Sequence, residues 1–159
     1  MPFEERIAEH AARRAKATAM GSKRKLAEFR DAGLLNARQR IDHLLDPGSF
    51  REVGAFTVSE RAEDRDRSAC DGLVGGYGRI DGRPVCVAAY DFTTLGASSA
   101  PNASKKFQHL RKAAAANGMP MIVLGEAGGA RIPGVMGAQG VARTRSHQLY
   151  DRRGPTPWG

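Results

Sequence analysis

The feature that most constrains the fold is an Asp81-Gly82 pair set between two apolar runs, Leu73–Ile80 and Pro84–Tyr90. Asp-Gly between such runs is a strong signal for a β-hairpin with a two-residue turn. In the second run every residue from Val85 to Ala89 is apolar, so both faces of that strand are predicted to be buried.

A strand–helix–strand unit is predicted to include the second hairpin strand. A helix is expected from about Asn102 to Ala116, ending at Asn117-Gly118, and an apolar strand follows from Met119 to Leu124. This order implies parallel strands joined by a right-handed crossover, so the predicted fold class is α/β. Ligands of such sheets bind outside the carboxyl ends of the strands, where the loop after Leu124 lies.

Residues 1–48 are predicted to form an N-terminal helical arm, followed by a domain over residues 49–159. Three helices are expected in the arm, the first with a stripe of Phe3, Ile7 and alanines. Because this stripe is thin, the helix is expected to lie against another body, with a second subunit favoured.

The segment between the arm and the hairpin carries a weaker signal. Phe50–Thr57 is expected to be a short strand. Residues 59–68 are highly charged and have no apolar face, so a mobile surface loop is expected there.

The net charge of +8 invites a nucleic-acid-binding hypothesis, but the distribution of charge argues against it. Lysines and arginines of the N-terminal region are interleaved with acidic residues, and no recognition-helix pattern accompanies them. An anionic small molecule or an acidic partner surface fits the charge equally well. No nucleic-acid partner is therefore expected.

Cysteine and histidine usage gives no sign of a metal site. The two cysteines and four histidines form no cluster with metal-ligand spacing, so both cysteines are expected to be reduced thiols. No apolar run approaches the ~20 residues of a membrane span, and the N-terminus lacks an apolar signal-peptide core. A cytoplasmic protein without a membrane partner is expected.

The loop after Leu124 contains adjacent glycines, Gly128 and Gly129. Consecutive glycines after a buried strand can expose backbone N–H groups, which suit a phosphate or the oxyanion of an enolate. A turn that needs two flexible residues would give the same pattern, so both interpretations stay open. The loop lacks the signatures of a Walker phosphate loop and of a dinucleotide site, which disfavours nucleotide hydrolysis and hydride transfer.

Four segments together resemble the carboxyltransferase (beta) subunits of biotin-dependent acyl-CoA carboxylases, the propionyl-, methylcrotonyl- and acetyl-CoA carboxylase family. They are LNARQRIDHLLDPGSF at 35–50, DGLVGGYGRIDGRPV at 71–85, DFTTLGAS at 91–98 and GGARI at 128–132. The segments occur in the family's order and cover most of residues 30–140. The chain is therefore expected to be the N-terminal portion of such a subunit.

The resemblance implies a crotonase-like fold, incomplete here and preceded by the helical arm. It also implies transfer of a carboxyl group from carboxybiotin to the α carbon of an acyl-CoA, without a metal at this step. Biotin would be carried on a partner protein or domain and not bound covalently to this chain. Expected partners are acyl-CoA, a biotin carboxylase or biotin carrier subunit, and the remaining C-terminal half of the carboxyltransferase, in a homo- or hetero-oligomer.

The resemblance also assigns site residues. Gly128 and Gly129 match the family's N–H donors to the enolate oxygen and are the expected catalytic residues. Lysines at the start of the predicted helix are expected at the CoA phosphates, although adjacent lysines on a surface helix more often serve solubility alone. The residues expected to contact the substrate are Gly96, Ala97, Ala130, Arg131, Lys105 and Lys106.

The sequence departs from the family in two respects. Ala127 stands where the family has serine, and Glu126 where aspartate is common, which leaves the Gly-Gly backbone intact. Because the biotin-binding half is absent, the chain is expected to bind acyl-CoA but to be inactive alone. The alternative is a noncatalytic relative that acts as a subunit-association module. The sequence does not identify the acyl group.

Overall fold

The computed structural model describes residues 3–125 and 127–132. Within them, four α-helices lie at Phe3–Thr18 (α1), Lys23–Asp31 (α2), Ala37–Leu44 (α3) and Pro101–Ala116 (α4). Four strands lie at Arg51–Glu52 (β1), Leu73–Ile80 (β2), Arg83–Tyr90 (β3) and Met121–Leu124 (β4). Short 3-10 turns occupy Ala62–Arg67, Ala69–Gly72 and Leu95–Ala97. The strands form one sheet in the order β1-β2-β3-β4.

β2 and β3 form the predicted antiparallel hairpin, which starts with Leu73 opposite Tyr90. Asp81 and Gly82 have φ angles of 50° and 77°, as a tight two-residue turn with a matching twist requires. The carboxylate of Asp46 accepts both turn N–H groups at 2.9 Å. This pair of bonds ties the chain after α3 to the tip of the hairpin.

β4 pairs with β3 in parallel, with Ala89 opposite Leu124. α4 connects the two strands, so the predicted strand–helix–strand unit is confirmed. Because both strands run in the same direction, the loops that begin at Asp91 and at Gly125 leave the same edge of the sheet.

Helices cover both faces of the hairpin. On one face, Ile41 and Leu45 from α3 and its C-terminal end pack into a cluster with Ala37, Cys70, Val74, Val85, Val87 and Ala89. On the other face, Leu110 of α4 packs with Leu73, Cys86, Ala88, Ala103 and Ala114. Glycines of β2 permit this approach, since a Cβ at Gly75 would lie 2.6 Å from Cδ1 of Leu110, and one at Gly78 2.5 Å from Cδ1 of Leu45.

The N-terminal helices contact the residues that follow position 48. α3 lies in the core, and its Arg38 forms a bidentate ion pair with Glu52 of β1 through two bonds of 2.9 Å. The link between α1 and α2 contacts the loop after β3. There the N–H of Gly21 donates to Oγ1 of Thr93 at 3.1 Å, and the N–H of Ser22 donates to the Thr93 carbonyl at 3.2 Å.

α1 is exposed along most of its length. Ala17 near its C-terminal end is buried, and the ring of His10 contacts that of Phe56. Phe3 and Ile7 are 73% and 54% exposed. Packing of the predicted stripe against a second subunit stays a prediction.

β1 is shorter than the predicted strand at 50–57. The chain turns at Gly54, whose φ is 66° and whose carbonyl accepts the N–H of Thr57 at 3.1 Å. This turn ends the strand pairing after the N–H of Val53, which still donates to β2 through the Gly75 carbonyl at 2.9 Å.

Residues 59–68, predicted as a mobile surface loop, instead contain a 3-10 turn anchored by a buried carboxylate. Asp64 is buried and accepts from Nη2 of Arg67 at 2.6 Å. The segment is thus anchored by an ion pair and not by apolar side chains. The absence of an apolar face therefore did not indicate a mobile loop.

Replacing Gly21 by alanine is expected to detach the α1–α2 link. A Cβ at Gly21 would lie 1.8 Å from the Thr93 carbonyl oxygen, so Gly21→Ala should lower the free energy of unfolding by about 2 kcal/mol. Gly118→Ala is the control, since a Cβ at Gly118 would enter open space. Its expected loss of unfolding free energy, about 1 kcal/mol, comes only from the positive φ of 62°. Chemical denaturation and limited proteolysis of the link measure both. Wild-type stability with no new cleavage in Gly21→Ala would contradict the docked geometry.

Candidate functional site

The loops that follow β3 and β4 are joined at one edge of the sheet. The N–H of Gly128 donates to the carbonyl of Gly96 at 2.8 Å, and the N–H of Ser99 donates to the carbonyl of Gly129 at 2.7 Å. The N–H of Arg131 adds a third bond, to the carbonyl of Ser99 at 2.9 Å. The structure thus brings together the two glycine-containing segments that the sequence predicts as site loops.

Asp91 shapes the first loop, although no separate role was predicted for this residue. Its Oδ1 accepts from the N–H and hydroxyl of Thr93 at 3.0 and 2.5 Å, and its Oδ2 accepts from the hydroxyl of Thr94 at 2.7 Å. Asp91 and Thr94 are buried. This role could have been predicted from the Asp-x-Thr-Thr pattern, which is typical of a turn closed by an aspartate side chain.

The two predicted catalytic glycines have different environments. The N–H of Gly128 is used by the Gly96 carbonyl, so it is not free to act as the predicted donor. A Cβ at Gly128 would lie 2.4 Å from that oxygen, which explains the need for glycine. Gly129 has a φ of 87° and a Cβ there would meet open space. Its N–H, like that of Gly96, donates to no acceptor within residues 3–125 and 127–132.

Of the other predicted contacts, Gly96 and Ala130 border the open side of the loops, whereas Ala97 and Arg131 face inward. Gly96 has a φ of 63° with open space on its Cβ side. Ala130 is exposed and pairs with Ser99 as an isolated bridge. Ala97 is buried and its N–H donates to the Thr94 carbonyl at 2.9 Å. Arg131 is also buried, with Nη1 2.6 Å from a carboxylate oxygen of Asp71.

The two lysines that were predicted to bind phosphate lie on different faces of α4, one exposed and the other buried. Lys105 is 58% exposed and pairs with Glu60 at 2.9 Å. Lys106 is buried, and its Nζ donates to the carbonyls of Gly54, Cys70 and Leu73 at 3.0, 3.0 and 2.5 Å. An ammonium with three backbone acceptors joins segments of the fold, so this position argues against the predicted phosphate contact of Lys106.

The predicted substrate contacts line two different surface cavities. A cavity of about 440 Å³ adjoins the first loop and is lined by Lys25, Arg67, Phe92, Thr93 and Gly96, among others. An open groove of about 870 Å³ contains Lys105 and His109. Gly96 and Lys105 therefore line different cavities.

Burial shifts the ionisation of two groups beneath the site. Burial raises the pKa of the Cys70 thiol to about 11, against an opposing effect of the Lys106 charge. Burial lowers the pKa of the Lys106 ammonium, while Cys70, Glu52 and Asp71 oppose that shift. Cys70 and Cys86 are both buried and are not joined in a disulfide. A thiol with so high a pKa is a poor nucleophile, so Cys70 is not a candidate catalytic residue.

In the part of the chain that the structure describes, no group of three or more His, Cys, Asp or Glu side chains is arranged to hold a metal ion. None of the helices described is both long and apolar enough to cross a bilayer.

Comparison with known proteins gives a consistent match. The family described as carboxyl transferase domain matches residues 28–149. The putative propionyl-CoA carboxylase beta chain of Bacillus subtilis (strain 168) is 44% identical over 76% of this chain and 24% of that protein. The methylmalonyl-CoA carboxyltransferase 12S subunit of Propionibacterium freudenreichii subsp. shermanii is 37% identical over 82% of this chain and 25% of that protein. The chain spans about a quarter of the length of these relatives.

A solved structure extends the match to three dimensions. The transcarboxylase 12S hexamer, crystallised with methylmalonyl-coenzyme A and methylmalonic acid bound, aligns with a TM-score of 0.80 at 34% identity. The alignment covers 91% of this chain and 29% of that chain. The predicted crotonase-like α/β fold is thereby confirmed.

Substitution of the two neighbouring lysines by methionine separates a buried role from a surface role. Lys106→Met removes three bonds from a charged donor and should lower the free energy of unfolding by about 3 kcal/mol. Lys105→Met breaks only an exposed ion pair and should cost less than about 1 kcal/mol. Denaturant unfolding measures both. Equal stability of the two variants would contradict the structural role of Lys106.

Proposed function

Because this chain belongs to the carboxyl transferase domain family, we propose that it forms the acyl-CoA-binding front part of a biotin-dependent acyl-CoA carboxyltransferase. The reaction would move a carboxyl group from carboxybiotin to the α carbon of an acyl-CoA thioester. Residues 28–149, which match the family, include both loops of the candidate site.

The observation that carries this proposal is the pair of N–H groups on Gly96 and Gly129. The glycines lie on adjoining loops, each with a positive φ and open space on its Cβ side. Their N–H groups have no acceptor in the described part of the chain. Backbone N–H donors on an open surface suit an oxygen atom that gains negative charge during a reaction.

A thioester presents such an oxygen. Removal of the α proton leaves an enolate whose negative charge rests on the thioester oxygen. The α carbon would then bond to the carboxyl carbon as the bond from that carbon to a biotin nitrogen breaks, and the released nitrogen would take up a proton in place of the one lost by the α carbon. Backbone donors placed in advance stabilise this oxyanion more than the neutral carbonyl, and this difference lowers the barrier. Gly128 contributes by its position, since its bond to Gly96 fixes one loop against the other.

Biotin, when present on its carrier, supplies the carboxyl group. The residues of this chain would hold the thioester, whereas binding of biotin is assigned to the rest of the carboxyltransferase. The proposed partners are a biotin carboxylase or biotin carrier subunit, the C-terminal half of the carboxyltransferase and further subunits of an oligomer. A cytoplasmic location stays a prediction.

For the CoA portion, the cavity beside Gly96 is a better candidate than the groove of Lys105. It adjoins one of the two proposed donors, and Lys25 and Arg67 line it. Both cations also pair with acidic residues, Lys25 with Glu28 at 3.0 Å and Arg67 with Asp64 at 2.6 Å. Phosphates would thus compete with existing partners, so modest salt-dependent affinity is expected.

A second candidate function, a noncatalytic subunit-association module, is favoured by one observation. Phe3 and Ile7 expose apolar side chains on α1, beyond the part of the helix that contacts the domain. In that case the exposed stripe would be the functional surface, and the glycine loops would be structural turns.

Gly129→Val tests the proposed site against binding of propionyl-CoA, measured by isothermal titration calorimetry. A side chain at residue 129 would enter the open space beside the donor, so affinity should fall about tenfold, while a complete homologous enzyme with this loop should lose about a hundredfold in turnover. Gly118→Val is the matched control. It places the same side chain at a φ of 62° in open space, in the turn before β4, and should leave affinity unchanged.

Thermal melts of both variants show whether the fold persists. Equal affinity of wild type and a folded Gly129→Val variant would make the loop a structural turn. Absence of propionyl-CoA binding by the wild type, together with self-association that is lost when Phe3 and Ile7 are replaced, would support the association module instead.

A further inference from the structure

Asp71 occupies an unusual backbone position between the sheet and the candidate site. It lies in the 3-10 turn Ala69–Gly72 that precedes β2, is buried to 1% exposure and has a φ of 50°. A non-glycine residue in this left-handed region carries a conformational cost, which persists only where surrounding contacts fix it. The contacts of Asp71 therefore indicate what the position is for.

The carboxylate of Asp71 connects two elements. Its Oδ2 accepts the N–H of Ala103, in the first turn of α4, at 3.0 Å. Its Oδ1 accepts Nη1 of Arg131, from the loop after β4, at 2.6 Å. Both members of this ion pair are buried, so breaking it by removing one charge leaves the other without compensation.

Arg131 extends the connection to the loop after β3. Its Nε donates to Oγ of Ser98 at 3.1 Å, and its Nη2 donates to the Ser98 carbonyl at 3.2 Å. The Ser98 hydroxyl donates in turn to the carbonyl of Leu95 at 2.8 Å. Leu95 directly precedes Gly96, so a continuous chain of bonds runs from Asp71 to one proposed donor while Arg131 lies two residues from the other.

We propose that Asp71 is a positioning residue that, through the guanidinium of Arg131, fixes the relative placement of the Gly96 and Gly129 N–H groups. The inference deepens the proposed function and rests on it for its catalytic meaning. The planar guanidinium suits this task because its several donors have fixed directions. Its Nη1 binds the β2 end of the sheet, while Nε and Nη2 bind the neighbouring loop.

The chain offers a matched control in a second poorly exposed ion pair. Arg38 and Glu52 are joined by two bonds of 2.9 Å, with side chains 19% and 13% exposed. This pair links α3 to β1, and within the described residues neither side chain forms a hydrogen bond to residues 95–99 or 127–132. Glu52→Gln and Asp71→Asn therefore remove the same charge with nearly the same shape, and asparagine tolerates the positive φ of Asp71.

Hydrogen exchange of assigned backbone amides tests the positioning role without any ligand. In Asp71→Asn, the amides of Gly128 and Ser99, which join the two loops, should exchange at least tenfold faster than in the wild type. The amide of Cys86, bonded to the Pro120 carbonyl at 2.9 Å, should keep its rate and serve as the internal reference. Glu52→Gln should leave the exchange rates of Gly128 and Ser99 unchanged, even if it lowers the melting temperature as much as Asp71→Asn does.

A double variant separates positioning from stability. Asp71→Asn combined with Arg131→Gln removes both buried charges, so it should regain part of the lost melting temperature. Hydrogen exchange at Gly128 and Ser99 should stay fast, because the guanidinium bonds to Ser98 are also lost. The affinity for propionyl-CoA should stay about tenfold below that of the wild type.

Unchanged exchange in Asp71→Asn, or equal acceleration in Glu52→Gln, would overturn the positioning role. Selective acceleration in a chain whose wild type binds no propionyl-CoA would support the role of Asp71 in loop placement while refuting the proposed function. The two failures are therefore distinguishable.

Discussion

The parallel pairing of β4 with β3 is the constraint on which the candidate site depends. With Ala89 opposite Leu124, both strands end at the same edge of the sheet. A loop follows each strand there. Parallel strands need a long crossover, which α4 supplies. The loops left at that edge then meet through backbone bonds of 2.7 to 2.9 Å. Distant segments of the sequence thus become one surface.

Buried charge, rather than apolar packing alone, fixes the relative positions of the segments around this edge. Lys106 joins three backbone carbonyls, and Asp71 with Arg131 joins the sheet, α4 and both loops. Such groups are costly to bury unless each donor has an acceptor. Their directional bonds specify geometry in a region where alanine and glycine offer little side-chain volume for packing.

Local sequence signals predicted the hairpin, α4 and β4, because turn chemistry and apolar runs act over short distances. They also drew attention to the two glycine-containing loops, which the structure joins at one edge of the sheet. Lys106 was assigned to the surface, although its spacing from Ala103 and Leu110 places all three on one face of α4. The pairing of Asp71 with Arg131 could not be predicted, since sixty positions separate them along the chain and only the folded topology brings them together. For the same reason, the sequence did not show that the N–H of Gly128 is used by Gly96.

The proposed function requires a thioester oxygen to bind at the N–H groups of Gly96 and Gly129. The most direct measurement is a titration of the isotopically labelled chain with propionyl-CoA and, separately, with CoA lacking the acyl group, followed by amide NMR. We expect propionyl-CoA to move the Gly96 and Gly129 amide proton resonances downfield, as a new hydrogen bond requires, and free CoA to leave them in place. Resonances of Gly82 and Gly118 should stay in place. Shifts confined to the groove of Lys105 and His109, with Gly96 and Gly129 unmoved, would contradict the claim.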